Sequence, residues 1–178
     1  MTTKNLEKYG GMALSGGADR VKLIDADNVV VADWVRLKCR YGCDEYGVGR
    51  LCPPRVPSVD ETRKVLACYS KGLIFTYGDV REGELRLRQR EHREMVYRLE
   101  REMFLDGYVR AFGMGCGPCR LCDACDLQEP CSFPEKARPS MEACGIDVYG
   151  TMANVGMELR VVQRREDPFT MVGLVLIA

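Results

Sequence analysis

The sequence predicts an α/β domain, with α+β as the neighbouring possibility: one mixed sheet of short strands covered by helices, with cysteine-rich loops for metal binding. Three observations predict it. Short apolar runs alternate with longer segments of helical period. Capping and stop residues bracket two of those segments. The ten cysteines fall mainly in glycine- and proline-rich stretches between regular elements. A length of 178 residues suits one domain with a real core, and a hydrophobic content of 46% removes the chain from the disordered class.

Taken in order, residues 1–19 are polar and glycine-rich and are expected to form a loose arm, leaving 20–178 as a single cysteine-rich domain. Val21–Ile24 reads as a short strand. Val29–Leu37 is apolar enough to be buried, but its period fits strand and helix alike. After Pro57, Ser58 and Glu61 form a capping-box pair. Val59, Thr62, Val65, Leu66 and Tyr69 then share one face, and Gly72 is expected to stop this helix near Lys71. Leu73–Tyr77 reads as a buried strand. Asp79, with Glu82 in the reciprocal position, is expected to cap a long helix that ends at Gly107. His92, Met95, Val96, Leu99 and Met103 mark its inner face. Its outer face carries Glu82–Arg86, Glu84–Arg88 and Glu94–Arg98 at i,i+4 spacing, which suits a solvated face better than a docking surface. Tyr108–Phe112 reads as a strand, and a short helix is expected from Ser140, followed by another over Asp147–Val155. Leu159–Val162 and Met171–Ile177 complete the strands, with a turn at Asp167–Pro168.

Charge and composition narrow the function. Lys plus Arg total 26 and Asp plus Glu total 26, so there is no basic excess of the kind that nucleic acid demands. Met1–Gly11 has no apolar signal core, and no stretch approaches the roughly 18–20 apolar residues of a membrane span. The expectation is a cytoplasmic protein with reduced thiols, in which clustered cysteines serve metal rather than disulfides.

Cys116, Cys119, Cys122 and Cys125 recur at every third residue, and Cys131 follows. Consecutive C-x2-C steps wrap a short loop so that several sulfurs converge, the logic of a bacterial ferredoxin run. Gly113, Gly115 and Gly117 allow close backbone approach. Structural zinc sites usually join two separated pairs, and the lone His92, read as a surface or core-edge residue, offers no Cys/His alternative. The expectation is an iron–sulfur cluster, 4Fe–4S in type, one or two per chain, centred on Cys119, Cys122, Cys125 and Cys131. Zinc is the alternative metal. Five cysteines exceed one cluster's need, and the spacing leaves open whether Cys116 or Cys131 is spare.

A second set, Cys39, Cys43 and Cys52, has C-x3-C-x8-C spacing and runs into Pro53 and Pro54. Three cysteines lack a fourth ligand. Cys68 and Cys144 read more readily as small buried hydrophobes. Each set holds its own cluster, or Cys52 completes the 119/122/125 site.

These residues resemble a family of cysteine-rich predicted metal-binding proteins of anaerobes, the domain of unknown function twenty-two eighty-four. The matching stretches are Val35–Cys43, Cys52–Pro54, Gly117–Cys125, and Cys131 through Arg138–Ala143 to Gly145–Val148. The resemblance implies Cys39, Cys43, Cys52, Cys119, Cys122, Cys125 and Cys131 as ligands and places Cys68, Cys116 and Cys144 outside the set. It also implies an anaerobic setting.

The function expected is electron transfer, as a carrier or a redox-complex subunit with a redox partner protein, in preference to catalysis, which stays open. Arg120, Lys136 and Arg138 are expected to stabilise the reduced cluster. One alternative is an enzyme with an open iron at Cys39/Cys43/Cys52. Another is a zinc-stabilised interaction module.

Overall fold

The computed structural model describes residues 3–164 and 166–178; residues 1 and 2 of the expected arm lie outside them. The elements are α1 (Thr3–Ser15), β1 (Arg20–Asp25), α2 (Asp33–Gly42), α3 (Val59–Leu66), β2 (Lys71–Val80), α4 (Leu85–Leu105), β3 (Phe112–Met114), α5 (Val148–Asn154) and β4 (Phe169–Ile177). The strands form one sheet in the order β1-β2-β4-β3. Every pairing in it is antiparallel. The sheet-and-helix domain follows from the central strands. Leu73, Phe75 and Tyr77 of β2, with Met171, Val175 and Ile177 of β4, face a core closed by α1 and α4. Ile74, Val172, Leu174 and Leu176 alternate onto the other face, against Leu66, Met141, Ile146 and Met152. Both faces are covered, so β2 and β4 read as unbroken apolar runs.

Several expected elements hold with shifted bounds. The Ser58–Glu61 capping box is present at the start of α3. The helix stops at Leu66, however, because the chain must enter β2 at Lys71; Gly72 lies in that strand, where a Cβ would meet Leu174 at 2.8 Å. Asp79 caps no helix. It occupies an irregularity near the end of β2 with φ of 52°, because pairing to β4 continues as far as Val80. Gly107, with φ of 96°, ends α4 as expected. β3 begins only at Phe112, since Tyr108–Ala111 is a turn closed by the Ala111 amide on Tyr108. Ser140 forms a bridge with Gly115 rather than starting a helix, and residues 159–162 lie outside any strand.

The N-terminal segment needs a larger correction. Residues 3–15, expected to be loose, are helical. Tyr9 and Ala13, four residues apart, are fully buried in the core shared with α4. The Tyr9 hydroxyl donates to Asp106 at 2.6 Å. A short polar segment thereby gains tertiary anchors that its composition conceals.

His92 is also deeper than expected. It is fully buried on α4, with its ring 5.3 Å from the rings of both Phe75 and Tyr77. Gly173 of β4 makes room for it, since a Cβ there would lie 2.9 Å from Nε2. Neither ring nitrogen meets a hydrogen-bond partner. Burial, aided by the Arg93 and Arg88 charges, pulls its pKa down to about 3. The imidazole is therefore neutral when folded and takes a proton only on unfolding. The unfolded chain binds the extra proton below its ordinary pKa of about 6.5, so stability falls as pH drops from there toward the folded value. The expected loss between about pH 7.5 and pH 5 is on the order of 2 kcal/mol from this residue. Denaturant unfolding at the two pH values checks it, and His92→Leu should flatten that slope.

Candidate metal centre

The cysteine run leaves the sheet directly from β3. Gly115 and Ser140 pair as a bridge, and the Gly115 amide donates to Pro139 at 2.9 Å while its carbonyl accepts from Met141 at 3.0 Å. Residues 116–139 therefore form a loop whose ends meet at one place. No residue of that loop is in a helix or strand, and all are exposed or part-buried apart from Pro139 at its base. Cys39 sits in the last turn of α2, Cys43 follows the helix in extended conformation, and Cys52 lies in the turn-rich stretch before α3. The α2 segment is docked on residues 143–147: the Ala32 amide donates to Gly145 at 2.9 Å, and the Arg36 guanidinium to Ala143.

Two thiol-lined cavities result. One, of about 270 Å³, carries Cys52, Cys119, Cys122, Cys125 and Cys131 on its walls. The other, of about 540 Å³, is lined by Cys39, Cys43 and Cys116 together with Glu142, Trp34, Ile146 and Phe169. All seven cysteines expected as ligands thus line these two cavities, but the grouping differs from the linear order. Cys52 lines the wall of the 119–131 loop, and Cys116 lines that of Cys39 and Cys43. Cys52 remains within the electrostatic field of Cys43 and Cys39, so it stands between the sets. Cys68 is exposed, with its thiol on the Lys64 carbonyl at 3.5 Å, and Cys144 is buried in the second core. Among the described residues no three Cys, His, Asp or Glu side chains close on a single-ion position.

Burial holds the inner thiols protonated. It pushes the Cys52 thiol up to about 11, helped by the neighbouring charges of Glu45, Cys43 and Cys39. Burial likewise raises Cys116, with Glu142 adding to it, and raises Cys39. A metal must displace those protons to be bound by thiolates.

Arginines and lysines tie the two segments together. Arg120 pairs with Glu45 at 2.6 Å, and Arg50 donates to the Asp126 carbonyl at 2.9 Å. The outer face of α4 is used in the same way. Arg90 reaches the Arg120 carbonyl at 2.9 Å, Lys136 pairs with Glu94 at 2.9 Å, and Arg138 forks onto Glu100. Glu94, which spacing assigned to an i,i+4 pair with Arg98, therefore holds the cysteine loop instead, as does Arg86 through Asp123. Arg120, Lys136 and Arg138 are each neutralised by a carboxylate, which weakens the cluster-tuning role expected of them.

The cation that sequence reasoning missed is Arg93. It is 2% exposed, on the inner side of α4, and no carboxylate among the described residues lies within ion-pair distance. Its guanidinium donates to the carbonyls of Arg138 at 2.7 Å, Gly117 at 2.8 Å and Cys116 at 3.4 Å, and Nε meets no partner. The ionisable groups whose charges act on it favourably are Cys119, Cys116, Glu142 and Cys52. One signal was available: Gln89, Arg93 and Val96 follow helical spacing beside the apolar stripe.

Fold and site together define a cysteine-rich metal-binding protein in which loops at one end of an antiparallel sheet gather thiols around a buried cation. The chain belongs to the family described as "Predicted metal-binding protein (DUF2284)", which matches residues 22–177. No curated protein and no solved structure matches it significantly. Among the described residues no helix is long and apolar enough to cross a membrane.

Proposed function

We propose that the protein carries an iron–sulfur cluster on Cys119, Cys122, Cys125 and Cys131 and serves electron transfer with a redox partner protein. The observation that carries this reading is the 270 Å³ cavity walled by those four thiols and Cys52, with the buried Arg93 guanidinium close to Cys119 and Cys52. A zinc ion draws its donors to about 2.0–2.3 Å of one point. A cluster takes one thiolate at each corner, so it suits thiols spread around a cavity. The group supplies reversible one-electron transfer when bound. The chain's own part is to hold four thiolates and to set a fixed positive charge near Cys119. A buried cation without a carboxylate is costly, and an anionic thiolate-bound group compensates it. No serine–histidine–acid set accompanies the thiols, and the one histidine is sealed in the core.

Metal analysis of protein purified without oxygen tests the reading. Iron and acid-labile sulfide in equal amounts, a brown colour with broad absorption at about 400 nm, and an EPR signal on reduction are expected. Colourless protein carrying zinc rejects it and favours the interaction module. The open-iron enzyme draws on a different observation, the apolar 540 Å³ cavity beside Cys39 and Cys43. It requires that the first cysteine set lack a fourth ligand.

A further inference from the structure

We propose that Cys116 is the fourth ligand of the first set, so that Cys39, Cys43, Cys52 and Cys116 form a second four-thiolate centre. This rests on the cluster reading above. In the linear order the first set is one thiol short and the 116–131 run is one thiol over. The fold offers a common answer to both.

Cys116 is the first residue of its loop, and its place is determined by the base of that loop. Gly115 is held to Pro139 at 2.9 Å, and Arg93 grips the carbonyls of Cys116 and Gly117. Gly117 then turns the chain with φ of 62°. The turn separates neighbours in the run: Cys116 lines the cavity of Cys39 and Cys43, whereas Cys119 lines the other. Glu142 lines the same cavity and reaches both thiols. Its carboxylate lies 3.7 Å from the Cys116 thiol, and its carbonyl lies 4.0 Å from the Cys39 thiol.

The rival ligands fit less well. Cys68 is exposed, with its thiol turned to the Lys64 carbonyl. Cys144 is packed among the apolar side chains of the second core. Cys52, between the sets, completes the first group, because Cys131 already supplies a fourth thiol to the other. Arg93, near Cys52, Cys116 and Cys119, presents its unpaired charge to both centres. Four thiolates also close the coordination sphere, which leaves electron transfer and withdraws the open position that Lewis-acid chemistry needs.

Iron and sulfide per chain, with EPR of the reduced protein, test this on the full chain purified without oxygen. Cys116→Ser is expected to lower iron and sulfide about twofold while one EPR component persists. Cys39→Ser should lose the same half, and the double variant should lose no more than either alone, which a general folding defect would not produce. Cys68→Ser should match the wild type. Wild-type protein with iron and sulfide that Cys116→Ser retains in full overturns this inference alone. Wild-type protein without iron or sulfide overturns the cluster reading and this inference with it.

Discussion

Replacing Arg93 with methionine is expected to shift the reduction potential of the proposed cluster negative by on the order of 60–120 mV and to destabilise the protein by about 3 kcal/mol. The first figure follows from electrostatics. Reduction adds a negative charge, and a guanidinium several Å away at an effective dielectric of about 20 favours that charge by roughly 1.4–3 kcal/mol, where tenfold in equilibrium is 59 mV for one electron. The second follows from hydrogen bonding. Arg93 satisfies the carbonyls of Arg138 and Gly117 at 2.7 and 2.8 Å. A bond from a charged donor contributes about 1.5–3 kcal/mol, and methionine leaves those oxygens without their donor. The release of a buried charge offsets part of this, so the net figure stays near the lower end. Arg93→Lys separates the two effects: it keeps the charge, so the potential should move less, but it loses the fork that bridges separate carbonyls. Spectroelectrochemical titration and thermal unfolding of the three proteins check both figures. An unchanged potential in Arg93→Met would remove Arg93 as the cluster's counter-charge.

Removing the metal should have the other large effect, confined to the loop. Residues 116–139 have no regular structure and are exposed or part-buried apart from Pro139 at the base. What ties them down is that base, through the Gly115–Ser140 bridge and the Arg93 hydrogen bonds, and further out mainly ion pairs at the surface, such as Arg90–Asp123 at 3.3 Å, where Asp123 is largely exposed. Such pairs contribute about 0–1 kcal/mol each, far less than the entropy of ordering the loop, at roughly 1–2 kcal/mol per residue. The metal–thiolate bonds proposed above would supply the remaining order. After chelation and oxidation, limited proteolysis is expected to cut between Cys116 and Pro139 at least tenfold faster. Far-UV circular dichroism should change little, because the sheet and α4 are packed on each other without the loop. Cooperative loss of the whole domain would show instead that the metal supports the core.

Much of the site was legible in the sequence because thiolate chemistry leaves few residue choices and local loops bring near neighbours together. Cys119, Cys122 and Cys125 lie close in space because they lie close in the chain. The central strands were legible for a similar reason, since burial on both faces leaves only apolar residues in Leu73–Tyr77 and Met171–Ile177. The Ser58 cap was legible because its hydrogen bonds join residues three apart. The N-terminal helix was not, because Tyr9 and Ala13 acquire their meaning only from α4, some ninety residues on.

By itself, then, the sequence determined that this is a sheet-and-helix domain with cysteine-rich loops suited to metal, and it singled out seven thiols as candidate ligands. The tertiary structure decided how those thiols are divided. Cys116 sits three residues before Cys119 yet lines the cavity of Cys39 and Cys43, and Cys52 shares a wall with a loop that begins sixty-four residues later. Only the fold placed Arg93 close to Cys119, Cys116 and Cys52, on a helix whose spacing alone presents it as one charge among many. The physical reason is that spacing governs contacts within a turn or a helix, whereas the Gly115–Ser140 closure and the docking of α2 on residues 143–147 depend on burying distant segments against one sheet.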